Sequence, residues 1–148
     1  MLFIEKVGTL MTGIYVILAE LNATTDIQVG KRYRLAFEKA FYGYVGSALS
    51  GLEHRLARHL SAQKKPHWHI DYLLNSATVR AIVYAESKLK DECLIAQALS
   101  QKLMSVPRFG CSDCHCPSHL FFSHDLGTLK RHVVNAFKDI NLNPVVSA

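Results

Sequence analysis

Apolar positions along the chain follow two rhythms. Gly13 to Leu21 is a nearly unbroken run rich in Ile, Val, Tyr and Leu, and it ends in a turn signal from Asn22 to Asp26. A short continuous run of this kind predicts a strand buried on both faces. Ile27 to Phe37 mixes β-formers with Lys31, Arg32 and Arg34, which predicts a short strand followed by a basic loop. Phe41 to Ser47 predicts another strand. The rhythm then changes: Leu52, Leu56 and Leu60 recur at helical spacing. Ser50 is placed to cap that helix, and Glu53, three residues later, completes a capping box.

Gln63 to His67 breaks the helical pattern with two lysines and a proline, and His69 to Leu74 predicts a helical turn or brief helix. Thr78 to Tyr84 predicts a strand, and Lys90 to Met104 a helix with Ile95, Leu99 and Leu103 on one stripe. Pro107 and Gly110 open a cysteine-rich loop at 110–119, followed by a strand from His119 to Ser123. A last helix, about 125–140, is capped by Asp125 or Ser123 and carries Leu126, Leu129, Val133, Phe137 and Ile140 on its apolar face. Strands and helices alternate irregularly after an initial hairpin, so the predicted class is α+β. With no repeat, low-complexity tract or linker, the expected organisation is an N-terminal arm of residues 1–12 and a single domain over 13–148.

Composition narrows the class. The hydrophobic fraction is 49% and the charged fraction 20%, as in folded chains and unlike disordered ones. A formal net charge of +5 and a pI near 9.1 favour polyanionic partners, with solubility alone as the bland alternative. No segment approaches the roughly 18–20 apolar residues of a membrane span. The first ten residues include Glu5 and Lys6 and do not read as a secretory signal, so a cytoplasmic location is expected. Cys111, Cys114 and Cys116 cluster within six positions while Cys93 stands apart. That spacing points to reduced thiols, in a metal site or in local packing, more than to a disulfide scaffold.

Four features occur in an informative order: Gly13-Ile14-Tyr15 opens the first strand, Tyr44-Val45-Gly46 closes a later one, Arg55 lies in the helix that follows, and Glu92 lies near the start of a later helix. This order resembles the GIY-YIG endonucleases, with Val45 in place of the commoner Ile. The stretch Leu52-Glu53-His54-Arg55-Leu56-Ala57-Arg58-His59 is similar to the corresponding part of phage homing endonucleases. The segments Lys64 to Leu74 and Phe109 to Phe121 are similar to the small, stand-alone Uri-type group. The resemblance covers about residues 12 to 123.

The resemblance implies a central, mainly antiparallel three-stranded sheet flanked by helices, with a C-terminal strand and helix added. It also implies an Mg²⁺- or Mn²⁺-dependent endonuclease acting on DNA, in keeping with a role such as DNA repair. Tyr15 would serve activation of the attacking water, Tyr44 the orientation of water or phosphate, Arg55 the scissile phosphate, and Glu92 the metal. A histidine after the first helix often assists, and His69 is preferred to His67. Asp71 would orient that histidine or brace the fold.

The residue types suit the chemistry. Phosphodiester hydrolysis needs an activated water, a stabiliser for the phosphoryl oxygens and help for the leaving oxygen. A guanidinium stays charged and binds as a fork. Side-chain alternation would set Tyr15 and Tyr44 on one face if their strands are neighbours. Taken singly, each tyrosine reads as an ordinary strand aromatic; the joint arrangement reverses that. Arg58, His59, Lys64 and Lys65 would extend a phosphate-facing surface, with Arg34 beside it; solvated roles are the alternative. Cys111, Cys114, Cys116 and His119 offer ligands that suit structural zinc, although the short Cys-x-Cys spacing favours reduced packing cysteines.

Alternatives of other classes are a catalytically silent nucleic-acid-binding module on the same fold and a small zinc-binding interaction protein. The small size implies that specificity would come from a homodimer, a protein partner, or recognition of single-stranded or branched DNA.

Overall fold

A computed structural model of the protein describes residues 12–31, 33–48, 51–61, 66, 68–89, 91–110 and 114–147. In chain order the elements are β1 (Gly13–Leu21), β2 (Thr25–Val29), β3 (Tyr33–Phe37), β4 (Ala40–Ala48), α1 (Leu52–Leu60), α2 (His69–Leu74), β5 (Thr78–Glu86), α3 (Glu92–Ser100), β6 (Met104–Ser105), β7 (Leu120–Ser123), α4 (Leu126–Asp139) and β8 (Val145–Ser147).

The unbroken apolar run of β1 has a direct cause. β1 lies inside a six-stranded sheet of order β6-β7-β4-β1-β5-β8 and pairs antiparallel with both β4 and β5. The class is α+β, as the alternation of elements predicts. The sheet has six strands, not the expected three: β4, β1 and β5 are neighbours within it, and β7, β6 and β8 extend it.

Both faces of the sheet are covered. Tyr15, Ile17, Tyr42 and Tyr44 point to one side, where they pack with Leu52 and Leu56 of α1, Ile70 and Leu73 of α2, and Phe109. Ile14, Val16, Leu18 and Val45 point to the other, against Ile95 and Leu99 of α3 and Leu129, Val133 and Phe137 of α4. An antiparallel strand covered on both faces loses the usual in/out alternation of apolar and polar residues.

Three local expectations change. Ile27 to Phe37 forms not a strand and a loop but a hairpin of β2 and β3, which makes a separate two-stranded sheet turned at Gly30. The N-cap of α1 is Gly51, not Ser50, and Ser50 lies outside the described residues. Gly51 has φ 76°, a left-handed conformation that a Cβ disfavours. The helix predicted from Lys90 to Met104 is shorter: it ends at Ser100, and Met104 enters β6. The last helix starts where the cap predicts, with the Asp125 carboxylate accepting from the backbone N–H of Thr128 at 2.8 Å.

Candidate functional site

Helical spacing explains why one histidine of α1 is buried. Leu52, Leu56 and His59 lie on a single stripe that faces the sheet, and His59 is only 1% exposed. There the hydroxyl of Tyr15 lies 2.8 Å from His59 Nε2. The Tyr44 ring stands edge-on to the same imidazole, at 6.2 Å between centroids. Tyr15 and Tyr44 thus share a face of adjacent strands, as alternation predicts.

Burial fixes the protonation of this group. It holds His59 below the usual histidine range, against a smaller upward pull from Asp71. Burial also pushes the Tyr15 hydroxyl well above the usual tyrosine range; Tyr44 adds to the rise and Arg55 opposes it. At neutral pH the pair is therefore a phenol donating to a neutral imidazole, with the imidazole proton on Nδ1. That nitrogen faces Asp71 Oδ1 at 3.8 Å.

The two glycines of the motifs have geometric causes. A Cβ on Gly46 would lie 2.5 Å from both Cζ and the hydroxyl oxygen of Tyr15. A Cβ on Gly13 would lie 2.3 Å from the carbonyl oxygen of Ala85, on β5. Gly46 lets the Tyr15 ring cross β4, and Gly13 lets β5 close on β1.

Ser47 joins the remaining parts. Its carbonyl accepts from Arg55 Nη1 at 3.1 Å, and its hydroxyl donates to the Glu92 carboxylate in a short hydrogen bond. Arg55 of α1 and Glu92 in the first turn of α3 are thereby held to the end of β4. No role for Ser47 follows from the sequence; its place directly after Tyr44-Val45-Gly46 is the signal that marks it.

Arg58, expected to face phosphate or solvent, is partly exposed and engaged with Asp71. Its guanidinium donates to both oxygens of Asp71, at 3.1 and 3.0 Å. Asp71 is fully buried and also accepts from the backbone N–H of Trp68 at 2.9 Å. The Trp68 ring lies against both arginines, 4.5 Å from Arg55 Cζ and 4.4 Å from Arg58 Cζ. Asp71 therefore braces α1 against α2. His59, also expected at the phosphate-facing surface, is turned inward by its position on the apolar stripe.

His69 opens α2, where its Nδ1 accepts from the backbone N–H of Gly110 at 3.3 Å and its ring packs on Phe109 at 5.5 Å. Burial lowers its pKa as well. The histidine that meets Tyr15 is thus His59, not His69. Arg34 is exposed on the separate β2–β3 hairpin, opposite Gln28. Lys64, Lys65, His67 and Cys111 lie outside the described residues.

A second cluster forms on the α3 side of the sheet. Cys93, Cys114, Cys116 and His119 each offer a ligand atom, and these four atoms lie within 4.8 Å of one another, a group able to hold a metal ion. Burial pushes the Cys93 and Cys116 thiols up and His119 down. Among the described residues, Cys93 from α3 joins the expected Cys114, Cys116 and His119. Cys93 stands far from the others in the chain, so local spacing does not connect it to them. Its position beside Glu92, in the first turn of α3, is what brings it in.

A family model described as "Domain of unknown function DUF123" matches residues 14–142. No curated protein and no solved structure matches the chain.

Proposed function

The chain belongs to that DUF123 family, and we propose that it is a divalent-metal-dependent endonuclease of the GIY-YIG type, hydrolysing phosphodiester bonds in DNA, with single-stranded or branched DNA as the preferred form. One observation carries the reading: the buried Tyr15–His59 hydrogen bond sits beside an arginine that Ser47 ties to Glu92.

The chemistry follows from those contacts. Water attacks phosphorus, and the bond to the leaving oxygen breaks. The oxygen of Tyr15 takes a proton from that water as its own proton passes to His59 Nε2. This transfer never requires a free phenolate, which burial disfavours. Asp71, facing Nδ1, favours the imidazolium that forms, and the proton then leaves for solvent. Arg55 offers its fork to the phosphoryl oxygens as charge develops on them.

Glu92 is half-buried and presents a hard oxygen donor. A single carboxylate fits Mg²⁺ or Mn²⁺, since Mg²⁺ binds through one or two carboxylates, keeps several waters and takes further oxygens from phosphate. Bound there, such a cation supplies charge neutralisation at the leaving oxygen. Three thiols and an imidazole suit Zn²⁺ instead, so the cysteine cluster would hold a different ion.

The test is cleavage of labelled single-stranded, duplex and flap DNA with Mg²⁺, Mn²⁺ or EDTA, with Glu92→Ala beside the wild type. Metal-dependent cutting that Glu92→Ala abolishes is the expected result. Salt-sensitive binding with no cutting of any form would overturn the enzyme in favour of a silent binding module.

A further inference from the structure

Cys93, Cys114, Cys116 and His119 come from three places in the fold: the first turn of α3, the loop before β7, and the residue directly preceding β7. All four donors converge on one point. Zn–S bonds of about 2.3 Å and Zn–N bonds of about 2.0–2.1 Å give a tetrahedron with S···S edges near 3.8 Å and S···N edges near 3.6 Å. His119 Nε2 lies 3.4 Å from Cys114 Sγ and 3.9 Å from Cys93 Sγ, and no pair of donors exceeds 4.8 Å. Small side-chain movements close the tetrahedron.

The surroundings fit a metal ligand. The Val45 N–H donates to the His119 carbonyl at 2.9 Å, which ties the residue carrying the imidazole to β4. Four protein donors leave no position for water or substrate, which is the pattern of a structural site.

We propose that these four residues bind one Zn²⁺ in a closed tetrahedral site, and that this ion clamps the first turn of α3 to β4 so that Glu92 stands against Ser47. Cys93 and Glu92 are consecutive residues, so a bond at Cys93 fixes the backbone that carries the carboxylate. His119 anchors the other end to Val45, two residues before Ser47. Three thiolates against a dication leave the site with net negative charge, so it does not repel a second cation at Glu92. The importance of the clamp for cleavage rests on the nuclease reading; the zinc site itself does not.

The experiment begins with the metal content of the purified, dialysed full chain, measured by mass spectrometry. One zinc per chain is expected. Exchange with Co²⁺ should give the visible bands of a tetrahedral thiolate site. Cys93→Ser should lose the metal or shift those bands, Cys93→His should keep a metal, and Cys111→Ser should retain both metal and spectrum. Zinc-free protein without thiolate bands on Co²⁺ addition overturns the site. Loss in Cys111→Ser with retention in Cys93→Ser overturns the ligand set.

The clamp has its own readout, independent of activity. Hydrogen exchange at residues 91–95 should speed up when a chelator strips the zinc, with Mg²⁺ restored in excess; unchanged exchange there overturns it. A zinc-loaded protein that protects these residues but cuts no DNA would end the nuclease reading and leave the zinc site standing.

Discussion

The hydroxyl of Tyr15 and Nε2 of His59, 44 residues apart in the chain, meet at 2.8 Å, and both residues are buried. If this contact relays the proton of the attacking water, removing either partner slows the chemical step by about 10²- to 10⁴-fold. Tyr15→Phe and His59→Gln should both do so in single-turnover cleavage while DNA binding persists. A Tyr15→Phe protein that cuts at the wild-type rate would remove the tyrosine from the chemistry.

The pH profile should be displaced to acid. Burial keeps His59 neutral below the ordinary histidine value near 6.5, so cleavage should hold through that region and fall only below it. On the alkaline side, burial keeps the Tyr15 hydroxyl protonated beyond the ordinary tyrosine value near 10. Stability shares the acid limb. Between the unfolded and folded pKa of His59 the unfolded chain binds more protons, so the folded state weakens as pH drops below about 6.5. Urea melts at stepped pH check this, and stability that rose on acidification would contradict it.

Gly46→Ala tests whether the motif glycine exists to admit the Tyr15 ring. The added methyl would overlap the ring and its hydroxyl. Overpacking of this kind typically costs about 1–3 kcal/mol. The expected outcome is a lower denaturation midpoint and a cleavage loss as large as that of Tyr15→Phe. Normal activity would show that the ring can move without consequence.

Arg55 and Arg58 should separate by phenotype although they are one helical turn apart. Arg58→Ala strips a fully buried carboxylate of both guanidinium bonds. Breaking buried pairs costs about 3–5 kcal/mol, and the partial exposure of Arg58 places this one toward the lower end. Arg55→Ala should instead leave the denaturation midpoint nearly unchanged, abolish cleavage, and lower the salt dependence of DNA binding by about one phosphate contact. Equal destabilisation by the two substitutions would argue against this division.

Periodicity carried the framework. The runs at β1 and β4 and the stripe of α4 lie where the apolar pattern puts them, because burial is what that pattern records. It failed where burial was not the deciding force. The β2–β3 turn depends on Gly30 at positive φ within a basic stretch that reads as a loop. Leu103 continues the α3 stripe in space although the helix has already ended, so spacing alone overextends it. The site was legible at Tyr15, Tyr44, Arg55 and Glu92, whose order in the chain is informative. His59 was legible as a basic residue but not as a buried one, although its spacing from Leu52 and Leu56 holds that information. Cys93 and Ser47 act through contacts between distant segments, which no local pattern records.

β1 serves two interiors at once, and this restricts how the gene can change. A single codon inserted between Gly13 and Ile17 would turn every following side chain of the strand over, sending the next residues to the wrong interior and uncoupling the register with β4 and β5. Substitutions there can be absorbed by volume; changes of length cannot. Related chains should therefore vary in length at their surface turns, as in the stretch from Asn22 to Thr24, while the spacing from Gly13 to Leu18 stays fixed.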